Sequence, residues 1–295
     1  MKAAQFEYVR PENLAEAIAI LSQDEDARPI SGGQTLVPMM AMRLARPSRL
    51  VDIARLKELD VTQVDDDCVV LGAAVRQAKA EHSAAVAKAL PLLSAALPWV
   101  GHIPTRNRGT IGGSVANADP AAEIPLVLVT LGGEVVVAGP GGEDRVVSED
   151  FFMGPMMTAI EHATLVTATR WPVWSGGATG VGFHEISARR SDFAYVSAAA
   201  QVMMDGSGKC LRCSIGIGGA TPVPTRLARA SAGLEGSGLS DKDLEAALDD
   251  DMSGLDVMSD GHATPAYRRR VARALALRAL RDARDNARRQ AEGRS

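Results

Sequence analysis

An α+β chain in two parts is predicted: a composite N-terminal domain over residues 1–175, with subdomains of about 1–55 and 56–175, and a C-terminal domain over residues 180–290 that joins an antiparallel sheet to helices. Three observations predict it. The chain opens as strand, helix, strand, with short apolar runs around one helical period. From residue 61 onward, apolar runs are joined by tetrapeptides rich in Asp, Gly and Pro, the signature of hairpins. The texture then changes at a glycine-rich stretch, residues 175–182, after which two long apolar runs precede two charged helical segments. A length of 295 residues suits about two domains, and 46% hydrophobic residues suit a globular core.

Residues 6–9 form a short strand candidate. After Pro11, the positions Leu14, Ala17, Ile18 and Leu21 fall at i, i+3, i+4 and i+7, one face of a helix. Residues 28–30 lead as a strand into Ser31-Gly32-Gly33-Gln34-Thr35; residues 36–43 are helical, and residues 50–53 are again a strand. Residues 61–64 and 68–71 flank Asp65-Asp66-Asp67 as a hairpin. Ala-rich helical segments occupy residues 77–100, and a second glycine loop covers Thr110 to Ser114. Residues 121–131 are an apolar helix stopped by Gly132. Residues 134–138 and 145–148 bracket Gly139-Pro140-Gly141-Gly142 as a second hairpin. Residues 165–170 form a strand that Trp171-Pro172 closes.

The stretch 175–182 reads as a linker. Beyond it, residues 194–204 and 211–217 are apolar strands joined by the turn Asp205-Gly206-Ser207-Gly208. Gly218-Gly219 with Pro222 and Pro224 ends this unit. Ser240 and Asp243 have capping-box spacing for a helix, and Thr264-Pro265 opens the last one with an N-cap and a proline at its first position. That helix carries many arginines between residues 268 and 289. They read as a solvated face rather than a docking face for an acidic partner, with Tyr267, Val271, Ala274 and Leu275 turned inward and Asp282 and Asp285 balancing charge locally.

A net charge of −4 argues against a general nucleic-acid binder. No apolar run approaches the roughly 18 residues of a membrane span. Residues 1–8 lack the apolar core of a signal peptide, so a cytoplasmic location is expected. The three cysteines, Cys68, Cys210 and Cys213, form neither a disulfide framework nor the ligand set of an ordinary iron–sulfur cluster. Cys210 and Cys213 make a C-x-x-C, but in a strand-like stretch without a second ligand pair, so they read as structural thiols. No catalytic residue and no metal ligand is assigned.

Two glycine segments carry chemistry. Backbone N–H groups in a tight glycine turn can approach a phosphate closely, and a helix that begins right after the turn adds its N-terminal dipole. Ser31-Gly32-Gly33-Gln34-Thr35 and Thr110-Ile111-Gly112-Gly113-Ser114 both have this composition. Gly-Gly pairs also stand at 132, 141, 176 and 218, mostly as turns, so one pair alone says little. Neither segment is G-x-G-x-x-G, which leaves a Rossmann site without support.

The surroundings of the two segments are more specific. Residues 31–40, Ser31-Gly32-Gly33-Gln34-Thr35-Leu36-Val37-Pro38-Met39-Met40, resemble the first FAD motif of the molybdenum-hydroxylase flavin subunits, A-G-G-x-S-L-x-P. Arg106-Asn107-Arg108-Gly109-Thr110-Ile111-Gly112-Gly113-Ser114 resembles the second, R-N-x-G-T-I-G-G-N, and Ala118-Asp119-Pro120-Ala121-Ala122-Glu123 is similar to the family's next residues. Arg43 to Pro47, Leu50 to Ile53, Asp192-Phe193-Ala194, Gly216 to Arg226 and Tyr267-Arg268-Arg269 extend the likeness over nearly the whole chain. The family is that of the xanthine dehydrogenase and carbon monoxide dehydrogenase flavoproteins.

The resemblance implies an N-terminal FAD-binding domain of the vanillyl-alcohol oxidase type. It implies that Ser31, Gly32, Gly33, Gln34, Thr35, Leu36, Thr110, Ile111, Gly112, Gly113 and Ser114 face the pyrophosphate and ribityl chain. Asn117, Asp119 and Glu123 would neighbour the ribose or ribityl hydroxyls, and Leu165 the ring system. Ser31, Thr35 and Ser114 depart from the usual Ala, Ser and Asn, and the Lys often found near Phe183-His184-Glu185 is missing. By the same resemblance, a large partner subunit would carry the molybdenum cofactor, a small partner two [2Fe-2S] clusters, and the assembly would be a dimer of heterotrimers. Two other readings stay open here: a stand-alone FAD-dependent oxidase or reductase, and a non-catalytic scaffold that has lost FAD.

Overall fold

The computed structural model describes residues 2–293; Met1, which the predicted N-terminal domain includes, lies outside them. The chain begins with β1 (Glu7–Val9), α1 (Leu14–Ser22), β2 (Arg28–Ile30), α2 (Leu36–Ala41) and β3 (Arg49–Asp52). The three strands form a parallel sheet in the order β1-β3-β2. Helix α1 starts where Asn13 Oδ1 accepts the Glu16 amide at 2.9 Å, and it buries Ala17 and Leu21, as its apolar spacing requires.

A second, antiparallel sheet is built from β4 (Thr62–Val64), β5 (Cys68–Gly72), β6 (Glu134–Gly139), β7 (Gly142–Val147) and β10 (Leu165–Pro172), in the order β4-β5-β10-β6-β7. The small pair β8 (Phe152–Gly154) and β9 (Met157–Thr158) precedes β10. Both hairpins expected from the turn residues are present. Six helices fill the connection from β5 to β6: α3 (Gln77–Glu81), α4 (Ala84–Ala89), α5 (Pro91–Ala96), α6 (Ile103–Arg108), α7 (Ile111–Asn117) and α8 (Glu123–Leu131). Every residue of α8 is buried, because it packs on β10 on one side and on the C-terminal sheet on the other. A short helix α9 (Ser148–Phe151) comes after β7.

The central strand β10 runs through Trp171 and Pro172 instead of stopping before them. Trp171 pairs with Val69 and is fully buried, so its packing outweighs the breaker signal of the proline, which takes the last sheet position opposite Cys68.

The C-terminal sheet is antiparallel, in the order β11 (Ala178–Ile186), β12 (Val196–Met204), β13 (Cys210–Gly218), β14 (Thr225–Arg226). The helices α10 (Ala228–Leu234), α11 (Asp241–Ser253) and α12 (Pro265–Glu292) complete the chain. Ser240 and Asp243 do form the capping box, and Thr264 Oγ1 caps α12 through the Tyr267 amide. Asp205 closes the β12–β13 turn by accepting the amides of Ser207 and Lys209. Cys210 and Cys213 lie buried on β13 with free thiols.

Two expectations are corrected here. Residues 178–182 are not a linker but the start of β11. Their glycines answer a packing demand: a Cβ on Gly180 would stand 2.0 Å from the Ala283 carbonyl oxygen, and one on Gly182 2.1 Å from that of Ala279. Helix α12 therefore lies directly on the strand backbone. Gly182→Val is expected to lower stability by about 3 kcal/mol, as overpacking does, read as a shift in the urea midpoint at unchanged slope. The second correction concerns the inward face of α12. It consists of Ala272, Leu275, Ala276, Ala279, Leu280, Ala283 and Ala287, whereas Ala274 is exposed. The small side chains are those that fit against β11. Among the arginines, Arg273 pairs with Asp249, while Arg281 and Arg284 pair with Asp241, all across to α11 or its first turn. Arg268 is buried and donates to the Tyr195 and Gly219 carbonyls and to Asp260. Among the described residues no helix is long and apolar enough to cross a membrane.

Candidate functional site

A cleft of about 840 Å³ runs between the parallel sheet, the α3–α8 segment and the strand β10. That volume lies within the range of small-molecule and cofactor sites. The two glycine segments meet in it. A Cβ on Gly32 would stand 2.5 Å from the Arg108 carbonyl oxygen and 2.8 Å from Gly109 Cα, so glycine is what allows the first segment to lie against the second. Ser31 Oγ reaches Thr110 Oγ1 at 3.2 Å and ties them together.

The segments present different surfaces. In the first, Gly33 adopts φ +67°, a conformation that favours glycine, and α2 begins at Thr35 with no side-chain cap. The amides of Gly32, Gly33, Gln34 and Thr35 donate no hydrogen bond among the described residues. Four successive donors bordering a cleft await an acceptor. The second segment is not a loop. Thr110 is the N-cap of α7, and both glycines lie in the first turn of that helix. Its amides are engaged: Ile111 to the Val75 carbonyl at 2.9 Å, Gly112 to that of Ala73 at 3.1 Å, Gly113 to Thr110 Oγ1 at 3.0 Å and Ser114 to the Thr110 carbonyl at 3.1 Å. A Cβ on Gly112 would come 2.4 Å from that of Ala73, so this glycine lets the helix seat on the chain after β5.

The predicted residues converge with one exception. Ser31 to Leu36, Thr110, Gly112 to Ser114, Asn117, Asp119, Glu123 and Leu165 all line the cleft. Ile111 does not: its side chain is fully buried in the core beneath α7. Asn117 Nδ2 lies 3.8 Å from Met156 Sδ. Asp119 Oδ1 accepts the Ala121 amide at 2.9 Å, and burial raises its carboxyl above the usual range. Burial pushes the Glu123 carboxyl up to about 7, with the Asp119 charge adding to the effect and Arg106 opposing it. His184 stands outside the cleft on β11, with Nε2 2.8 Å from Asp282 Oδ2 of α12.

Gln77, His102, Thr105, Thr158, Ile160 and Asp192 also line the cleft, although sequence reasoning assigns them no part in it. They come from five separate segments with no shared motif, so only the tertiary fold assembles them. Asp192 alone carries a signal, in the Asp192-Phe193-Ala194 match. The segment between β11 and β12 brings it and the exposed Phe193 to the cleft.

On β11, burial and the neighbouring Glu123 push Glu185 up to about 8. Both glutamates thus hold protons in the fold that they release above about pH 4.5 when unfolded. Their contribution to stability is complete below that value and is lost as the pH rises through about 7 to 8. Thermal melts of the cofactor-free protein are therefore expected to show stability declining across that interval, and Glu185→Gln is expected to flatten the decline.

Unpaired amides at a glycine turn, hydroxyl and carboxyl side chains along a long cleft, and a parallel sheet joined to an antiparallel one define a dinucleotide-binding flavoprotein class. Residues 4–174 match the family described as the FAD binding domain in molybdopterin dehydrogenase, and residues 182–283 match the CO dehydrogenase flavoprotein C-terminal domain. The chain belongs to this family; it is an FAD-binding oxidoreductase subunit. It is 36% identical to the 6-hydroxypseudooxynicotine dehydrogenase complex subunit alpha of Paenarthrobacter nicotinovorans, over 98% of this chain and 97% of that one. It is 33% identical to the carbon monoxide dehydrogenase medium chain of Afipia carboxidovorans, over 97% and 99%. Its fold superposes on quinoline 2-oxidoreductase from Pseudomonas putida 86 with a TM-score of 0.91 at 34% identity, covering 97% and 99% of the two chains.

Proposed function

We propose that the chain is the FAD-carrying electron-transfer subunit of a heterotrimeric molybdenum hydroxylase. It takes electrons from [2Fe-2S] clusters on a small partner and passes them to an external acceptor, while a large partner holds the molybdenum cofactor and the substrate. The complex is a cytoplasmic dimer of heterotrimers. Residues 1–175 bind FAD, and residues 180–290 form the second domain. The observation that carries this reading is the run of four unpaired amides, Gly32 to Thr35, at a cleft of cofactor size in a chain of this family.

In this reading the amides of residues 32–35 hold the pyrophosphate, with Ser31, Thr110 and Ser114 adding hydroxyls and Gly112 and Gly113 keeping α7 close. Gln34 and Leu36 flank the turn. Asn117 and Asp119 face the ribityl chain, and Leu165 and Glu123 border the ring system. Ile111 acts from the core, by fixing α7. Bound FAD supplies the chemistry, since an isoalloxazine accepts and returns electrons; the protein binds, orients and shields it.

The purified, desalted chain is expected to show an oxidised-flavin spectrum and to release FAD on denaturation. Affinity purification of the tagged chain from its host should bring down two further subunits containing molybdenum and iron. A colourless chain that cannot be loaded with FAD would remove this reading in favour of a scaffold. Full turnover of a reducing substrate by the isolated chain would favour a stand-alone oxidase.

A further inference from the structure

A polar seam lies where α8 meets the C-terminal sheet. Glu185 of β11 stands opposite Ser197 of β12 in the strand register. Glu185 Oε2 and Ser197 Oγ are both buried, and neither has a hydrogen-bond partner among the described residues. Ser197 is fully buried. A Cβ on Gly218 would lie 2.7 Å from Ser197 Oγ and 3.2 Å from Leu126 Cδ2, so this face of the sheet packs on α8. Helix α8 begins at Glu123, which is 9% exposed and lines the cleft, and whose carboxyl finds only its own backbone amide. Buried polar groups are rarely left unpaired without a role.

No cation neutralises the seam. On β11, His184 faces the other way, toward α12, where Asp282 takes it. From β12, Ser197 and Gln201 bring no charge, and α5, which also packs on β11, has no ionisable residue. Before α8 stands Asp119, an acid. Arg106 of α6 acts on Glu123 only weakly and is engaged by Glu81. Two carboxyls that cannot both ionise at close range share a proton.

We propose that Glu123 and Glu185 form a proton-sharing pair that takes up one proton from solvent when FAD in the cleft is reduced and releases it when FAD is reoxidised. This rests on the reading that the ring system lies at the Glu123 and Leu165 end of the cleft. The balance is simple. Two electrons from the donor and one proton reduce the ring and leave it one negative charge. That charge raises the proton affinity of the pair, so a carboxylate oxygen gains a second O–H bond and the cleft stays neutral. No other bond forms or breaks. The Ser197 hydroxyl serves the remaining lone pair. Burial already holds both carboxyls in the neutral range, where such uptake operates.

The test uses the full chain loaded with FAD, with dithionite as electron donor. The reduced-minus-oxidised infrared spectrum of the wild type should gain a carboxylic-acid carbonyl band that shifts with isotope-labelled glutamate. In parallel, the flavin midpoint potential should fall more steeply with pH than in Glu185→Gln, between about pH 6 and about pH 9. The difference should be about tenfold in the reduction equilibrium per pH unit, or about 30 mV for a two-electron couple. Glu185→Asp should restore the slope, which a merely structural role would not do. A wild type that holds FAD but gains no such band overturns the proton pair alone, whatever the variants do. So does an equal slope in wild type and Glu185→Gln. A chain that binds no FAD overturns the cleft reading and the pair with it.

Discussion

Gly32→Val is expected to abolish FAD retention while leaving the fold in place. A Cβ on Gly32 would meet the Arg108 carbonyl oxygen at 2.5 Å and Gly109 Cα at 2.8 Å, both of them backbone, so the first glycine segment must back away from the second. The amides of Gly32, Gly33, Gln34 and Thr35 move with it. In the proposed site they donate to a charged pyrophosphate, and hydrogen bonds to charged groups are worth about 1.5 to 3 kcal/mol each. Misplacing two of them costs about 3 kcal/mol or more, a loss above about a hundredfold in affinity. Equilibrium dialysis with FAD measures this, with far-ultraviolet circular dichroism as the control for folding. Gly141→Val makes the matched control, because a Cβ there meets nothing within 4 Å. Equal FAD affinity in the two variants would show that residues 32–35 do not hold the pyrophosphate.

Much of this arrangement is legible in the sequence because it is local. The capping box at Ser240, the Thr264-Pro265 start of α12 and the Asp65-Asp66-Asp67 hairpin each depend on a few consecutive residues, and each forms where expected. The features that the sequence hides depend on distant partners. Gly180 and Gly182 look like a linker until α12 is laid on them, since nothing nearby in sequence says that a helix a hundred residues later needs the space. Trp171-Pro172 looks like a strand end until the burial of the indole is seen.

The site shows the same division. Both glycine motifs stand out in the sequence, yet their difference does not, because whether an amide is free depends on what faces it. Val75 and Ala73 meet Ile111 and Gly112, whereas the amides of residues 32–35 meet no acceptor among the described residues. Glu185 gives no signal at all. Its environment is made by Glu123, Ser197 and the packing of α8, which three separate segments supply.

Arg106→Met is the second large effect, and it tests whether the second motif acts through support rather than contact. Arg106 is 8% exposed and does not line the cleft. Its Nε donates to Glu81 Oε2 at 2.7 Å and Nη2 to Oε1 at 3.1 Å, a two-point pair of α6 with α3. Its Nη1 donates to the Val100 and Gly101 carbonyls at 3.1 and 3.0 Å. Removing the guanidinium leaves a largely buried Glu81 carboxylate and two carbonyls unmet, for which a loss of about 3 to 5 kcal/mol is expected in chemical denaturation. Because α6 ends at Arg108, whose carbonyl receives the Arg76 guanidinium and abuts Gly32, FAD affinity should fall as well. Removing the stranded charge too, in Glu81→Leu with Arg106→Met, separates the causes. If the loss is mainly an unpaired buried carboxylate, the double variant recovers stability, and the two changes are coupled by well over about 1 kcal/mol. The carbonyls of Val100 and Gly101 stay unmet in either case, so the glycine segments should remain displaced and FAD affinity low. Recovery of stability without recovery of binding would place the motif arginine as the brace of the cleft; recovery of both would mean that its pairing with Glu81 alone sets the geometry.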